Sequence, residues 1–186
     1  TVQVDNVAPS NLTLNVDNAT IDEGSTVTLD GSFEDPGTLD TFTVTVDWGD
    51  GSSDSVLNLA AGTLTFNTTH VFANQAAPFT ITVTVADDDT GTVSNTIDVT
   101  VNNVAPVATI TGAPTDSPEG TQISLNASVV DPGNDGSGND GLTYDWTVEK
   151  DGTPGYATGN AAAFDFTPDN NGTYVVTLTV TDDDGD

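Results

Sequence analysis

Carboxylates dominate the chemistry open to this sequence. Asp35-Pro36-Gly37, with Asp40 close behind, and Asp87-Asp88-Asp89 are two short acidic segments, and each returns later as Asp131-Pro132-Gly133 with Asp140 and as Asp182-Asp183-Asp184. A third oxygen-bearing segment, Asn6-Val7-Ala8-Pro9, returns as Asn103-Val104-Ala105-Pro106. Carboxylates, amide oxygens and backbone carbonyls are the ligands of Ca2+, which takes ~6–8 of them. The candidate ligands are Asn6, Asp35, Asp40, Asp87 and Asp89 in the first occurrence, and Asn103, Asp131, Asp140, Asp182 and Asp184 in the second. The competing reading is a set of solvated turns, because Asp, Asn and Gly favour turns for backbone reasons alone. That reading suffices for any single Asp.

Other chemistries lack their residues. Against 29 acidic residues stands one Lys or Arg (Lys150), and the net charge is −28. Nucleic-acid binding and anionic membrane surfaces both need Lys and Arg, so both are excluded. So much negative charge opposes compaction unless salt screens it or cations bind, which fits a saline environment, a divalent-metal protein or both. There is no cysteine and one histidine, His70, so zinc and a histidine-based nucleophile have no ligand set or relay. Gly49-Asp50-Gly51 lies between strand patterns with no Lys and no helix to follow, which makes it a hairpin turn and not a phosphate loop. Asp182–Asp186 lacks the flanking helices and closing Glu of an EF-hand. Nothing marks two carboxylates as flanking a pocket, and no catalytic constellation emerges. No apolar run approaches the ~20 residues of a membrane helix.

The elements that position these residues follow from internal repetition. Asn6-Val7-Ala8-Pro9 and Asn103-Val104-Ala105-Pro106 are offset by 97, and Glu23-Gly24 and Glu119-Gly120 by 96. Val27, Leu29 and Phe33 match Ile123, Leu125 and Val129. Phe79, Ile81, Val83 and Val85 match Tyr174, Val176, Leu178 and Val180. Apolar residues two apart are the pattern of strands with one buried face. Phe42, Val44, Val46 and Trp48 match Leu142, Tyr144, Trp146 and Val148, so the second copy carries a polar, glycine-rich insertion at Asn134–Asn139. No stretch has helical periodicity. Seven strands are predicted in the first copy, starting near Asn11, Ser25, Phe42, Ser53, Thr63, Pro78 and Thr92. The second copy stops at Asp186, before its seventh. The predicted organisation is all-β: residues 1–5 as the end of a preceding repeat's last strand, 6–102 as one immunoglobulin-like sandwich, and 103–186 as a second that lacks its last strand.

Trp48 and Trp146 fall on the inward set of the third strand and read as core. His70 takes the inward register of Phe164 and reads as packing. Tyr156 lies outside the alternation and reads as the more exposed aromatic. Glu23 reads as a charge in a solvated turn.

The run Val46-Asp47-Trp48-Gly49-Asp50-Gly51-Ser52, preceded by Glu23-Gly24 and Asp35-Pro36-Gly37 and followed by Thr82–Asp89, resembles the PKD (polycystic kidney disease) repeat, most of all the versions in long bacterial surface proteins. The second copy departs from it at Val148-Glu149-Lys150-Asp151-Gly152. The resemblance implies a β-sandwich used as a spacer, adhesive or binding module, often with bound calcium, and without catalysis.

In such a sandwich the loop after the second strand, the loop after the sixth and the entering linker meet at one pole. The three oxygen-rich segments therefore converge, and converging like charges cost energy unless a cation offsets them. The expected function is a non-catalytic, calcium-stabilised spacer, stalk or fibre segment of a large secreted or cell-surface protein, an adhesin of bacterial type. Its expected partners are neighbouring repeats and other copies head to tail, without nucleic acid or membrane insertion. The alternative is a substrate-binding accessory module of a secreted hydrolase.

Overall fold

Alternating Val, Ile, Leu and Phe put one face of each strand into a core. In the computed structural model this yields two units, Thr1–Asn102 and Asn103–Asp186. The structure describes residues 1–73, 76–133, 141–182 and 185, with backbone only for 76 and 77. All regular elements among the described residues are strands, and no helix is long and apolar enough to cross a membrane.

The first unit comprises β1 (Ser10–Val16), β2 (Thr20–Asp22), β3 (Thr26–Glu34), β4 (Phe42–Asp47), β5 (Ser55–Leu59), β6 (Thr65–Val71), β7 (Ala76–Asp87) and β8 (Thr92–Asn102). One sheet runs β1-β3-β6 and the other β2-β8-β7-β4-β5. Val27, Leu29 and Phe33 from β3 face Val44 and Val46 from β4 and Ile81, Val83 and Val85 from β7 across a shared core. Each such side chain contributes about 1.5–3 kcal/mol on full burial.

The first predicted strand is in fact two. Asp17 and Asn18 break it: Asp17 Oδ1 accepts from the Asn18 and Thr28 amides at 2.9 and 3.0 Å, and Asn18 Oδ1 accepts from the Thr20 amide at 3.1 Å. The chain then crosses to the other sheet, where β2 lies parallel to β8 with Ile21 opposite Val101. These turns hold the Asp17 carboxyl below its ordinary value, chiefly through the Thr28 amide. Glu23, expected in a solvated turn, is only 5 % exposed. Its amide donates to the Asn102 carbonyl at 3.0 Å, so the end of β8 covers the turn.

Trp48 is buried, and its Nε1 donates to Ser55 Oγ at 3.0 Å. His70 does more than pack. It stacks on Trp48 at 4.6 Å between ring centroids and meets Asp50 Oδ2 through Nε2 at 2.6 Å. The β4–β5 hairpin of one sheet is thereby pinned to β6 of the other. Gly49 is required in that hairpin: its φ is +76°, and a Cβ there would sit 2.5 Å from the Thr80 carbonyl oxygen. Burial works against the Asp50 carboxylate, but hydrogen bonds from Ser52 and His70 outweigh it and lower its pKa. A lowered carboxyl lends stability above its ordinary value of 3.8, and that stability is lost as pH falls through the lowered value. Asp50→Asn is expected to cost about 1–3 kcal/mol in a urea titration at pH 7 and to abolish that acid limb. An unchanged midpoint would mean that Trp48 stacking alone seats the histidine.

The second unit comprises β9 (Val107–Thr111), β10 (Ile123–Val130), β11 (Thr143–Lys150), β12 (Thr153–Gly159), β13 (Ala163–Phe166) and β14 (Tyr174–Thr181), in sheets β13-β10-β9 and β12-β11-β14. Its buried core is Leu125, Trp146, Val148, Phe164 and Phe166. Trp146 is fully buried, stacks on Phe164 at 5.4 Å and donates to the Ala161 carbonyl at 2.8 Å. Tyr156 is not the exposed aromatic its register implied. It packs against this core, its hydroxyl donates to the Thr167 carbonyl at 2.8 Å, and Lys150 lies over its ring at 5.8 Å. Lys150 also donates to Asp169 at 2.6 Å, and that bond raises the lysine's pKa and lowers the aspartate's.

Candidate metal centre

Asp35 follows β3 directly, Asp40 precedes β4, and Asp87 is the last residue of β7. Antiparallel pairing of β4 with β7 sets Phe42 opposite Asp87, which brings the β3–β4 and β7–β8 loops to the same end of the sandwich. Asp35, Asp40 and Asp87 each place a carboxylate oxygen within 4.8 Å of the others.

Each carboxylate is oriented by backbone. Asp87, 7 % exposed, accepts through Oδ1 from the amides of Asp89 at 3.0 Å and Gly91 at 2.6 Å. Its Oδ2 accepts from the Asn6 side-chain amide at 2.9 Å, which ties the entering segment to the loop. Asp35 Oδ1 accepts from the Gly37 amide at 2.7 Å, while Asp35 Oδ2 is buried without a hydrogen-bond partner. Loss of water around Asp40 raises its pKa, and the charges of Asp35, Asp88, Asp87 and Asp89 raise it further. Two glycines allow this closeness. A Cβ on Gly37 would lie 2.0 Å from Asp40 Oδ2, and one on Gly91 would lie 2.4 Å from Asp87 Oδ2 and 2.7 Å from the Ala8 Cα.

Asn6, Asp35, Asp40 and Asp87 are therefore brought together. Asp89 contributes its amide and its charge, but its carboxylate is outside the trio. Sequence reasoning passed over Asp88, whose Oδ1 accepts from the Thr41 amide at 3.0 Å and fastens one loop to the other. It also passed over Gly91, whose signal was its place just after the acidic run.

In the second unit the Asn103 side-chain amide donates to Asp182 Oδ2 at 3.0 Å, as Asn6 does to Asp87. Asp182 is 7 % exposed, and its Oδ1 accepts from the Gly185 amide at 2.7 Å. Asp131 Oδ1 accepts from the Gly133 amide at 3.2 Å, as Asp35 does from Gly37. Asp140 and Asp184 lie outside the described residues.

A carboxylate oxygen buried without a donor beside two other acids suits a hard cation. The donor set, all oxygen and without sulfur or imidazole, suits Ca2+ over transition metals. The two loop sites, each on a sandwich unit and each tied to its own lead-in Asn, recur across the two halves of the sequence. The family profile described as PKD domain matches residues 6–102 and again 103–186. The chain belongs to the PKD domain family. Its two PKD domains follow one another directly and form a tandem repeat module of immunoglobulin-like β-sandwiches. PKD domains are generally non-catalytic repeat modules. No curated protein matches the chain.

Among solved structures, the tetra-tandem repeat in the extending region of a large adhesion protein is similar at 17 % identity and a TM-score of 0.46, over 94 % of this chain and 49 % of that one. The FN1–FN3 domains of chicken CNTN1 are similar at 12 % identity and 0.32, over 97 % of this chain and 63 % of that one. A chimeric titin Z1Z2 carrying an exogenous KLER peptide from decorin is similar at 14 % and 0.36, over 96 % and 97 %. The chain thus spans less than two thirds of the length of two of these structures.

Proposed function

We propose that these two PKD domains are a calcium-stabilised spacer segment of a large extracellular surface protein, an adhesin or fibre of bacterial type. The observation that carries the reading is Asp35 Oδ2, buried without a donor, next to Asp40 and to an Asp87 that also holds the lead-in residue Asn6. A cation there joins both loops of a unit to the segment that enters it, which is where a repeat must be firm if it is to transmit position along a chain. Extracellular modules bind calcium at ~10⁻⁴–10⁻³ M, a concentration range met outside cells. The accessory-module alternative has less support, since Tyr156, its candidate exposed aromatic, is packed against the core.

Titration calorimetry of the chain with CaCl2 tests the reading. Binding is expected in the stated range, with Asp87→Asn removing the first unit's share and Asp182→Asn the second's. Gly37→Ala keeps every ligand but displaces Asp40, and it is expected to weaken the first site by about 10–100-fold, as loss of ligand support does elsewhere. Heats that equal those of matched NaCl dilution would remove calcium from the proposal.

A further inference from the structure

We propose that the second unit's open flank is a docking site for the Val2–Asp5 segment of a second copy of this chain, added head to tail as a strand. The two units, compared residue by residue, locate the site. In the first unit β7 is flanked by β4 on one side and β8 on the other, and its inward Ile81, Val83 and Val85 are fully buried. Among the described residues of the second unit β14 pairs with β11 alone, and the matching Val176, Leu178 and Val180 are all half-buried. Glu23 is covered by the end of β8, whereas its counterpart Glu119 is exposed.

The flank is a formed cleft, not only a bare edge. A volume of about 710 Å³ opens between the β9–β10 connection and the start of β14, reaching Ile123, Phe166, Tyr174 and Val176 at its floor and bordered by Asp116 and Pro118. The first unit shows what belongs there. The end of β8 runs antiparallel to β7, with Val99 opposite Phe79, and parallel to β2, with Val101 opposite Ile21. Val99 and Val101 are 0 % and 2 % exposed. Phe79 corresponds to Tyr174, and β2 to residues 116–118.

The chain carries a second segment of that pattern. Val2-Gln3-Val4-Asp5 stands before Asn6-Val7-Ala8-Pro9 as Val99-Thr100-Val101-Asn102 stands before Asn103-Val104-Ala105-Pro106. Val2 and Val4 are 90 % and 88 % exposed, the matched pair of apolar knobs left without a core. Main-chain pairing to the edge of β14, with Val2 and Val4 in the cleft, completes the sandwich by strand addition. The contact is heterologous, so it repeats from copy to copy without closing. Each copy carries −28, so association needs screening.

Sedimentation velocity of the 186-residue chain in ~1 M NaCl, where the Debye length is about 3 Å, tests this. The weight-average mass is expected to rise with protein concentration to more than that of a dimer. The double variant Val2→Asp, Val4→Asp alters exposed residues and leaves both units folded; it is expected to stay at monomer mass. A peptide of the β8 sequence, Thr92–Asn102, is expected to bind the chain and reverse the association. A chain that is monomeric at every concentration, or an association that the double variant or the peptide leaves intact, overturns the proposal.

Discussion

At pH 7, ~10 mM Ca2+ is expected to raise the melting temperature of the first unit by on the order of 10 °C over a sodium control of equal ionic strength. A ligand bound only by the folded state stabilises it by RT ln(1 + [L]/Kd), and ten to a hundred times a Kd of ~10⁻⁴–10⁻³ M corresponds to about 1.4–2.7 kcal/mol. A unit of this size shifts by ~4–8 °C per kcal/mol. Asp87→Asn removes the response. The pH dependence has a definite sign. Asp40 is raised above 3.8, so without calcium the folded unit holds a proton more tightly than the unfolded chain does. Its contribution favours folding at low pH and is lost as pH rises through the raised value. Calcium competes with that proton, so the calcium-induced shift is full above the raised value and vanishes below it. Asp17, Asp50 and Asp169, all lowered, act in the opposite sense and at pH below 3.8, which separates the two windows. Equal shifts from calcium and sodium would reduce the cation to a screening role.

Trp146→Ala is expected to unfold the second unit and spare the first. Truncating a buried Trp costs about 3–5 kcal/mol. Here the loss also strips the stacking partner of Phe164 and leaves the Ala161 carbonyl without its donor. The second unit has little to absorb it: five buried apolar residues and a half-exposed inner face on β14. Trp48→Ala costs a similar amount in a larger core that continues through Val27, Leu29, Phe42 and Phe72. The check is limited proteolysis at room temperature followed by mass measurement. Trp146→Ala should release a resistant fragment ending near Asn102, and Trp48→Ala should not. Loss of both units together in Trp146→Ala would show that they fold as one.

The strand pattern was legible because period-two alternation needs no tertiary knowledge. Val27, Leu29, Ile81, Val83 and Val85 announce their burial by spacing alone. The split of the first strand was not, because Asp17 and Asn18 break it through side-chain-to-backbone bonds that composition does not encode. Asn6, Asp35, Asp40 and Asp87 were legible as a group once the fold dictated which loops share a pole. Their individual roles were not: Asp87, Asp88 and Asp89 are chemically alike, and only the loop's path decides which points inward, which binds Thr41 and which faces water. His70 and Tyr156 show the same limit. Register gave their side of the sheet, but Asp50 and Lys150, which fix their hydroxyl and imidazole environments, arrive from distant turns.

The parallel pair of β2 and β8 has a mechanical consequence. When the first unit is stretched from residue 6 and residue 102, the pull on β2 points toward its N-terminus and the pull on β8 toward its C-terminus. Two parallel strands loaded that way slide lengthwise, so the Glu23–Asn102 and Thr100–Ala19 backbone bonds bear the load together instead of opening one after another. Forced unfolding is governed by the barrier and not by the equilibrium free energy. A three-residue strand that adds little to resting stability thus gives this unit its resistance to tension, and the second unit gains the same resistance only when a strand occupies the place of β8.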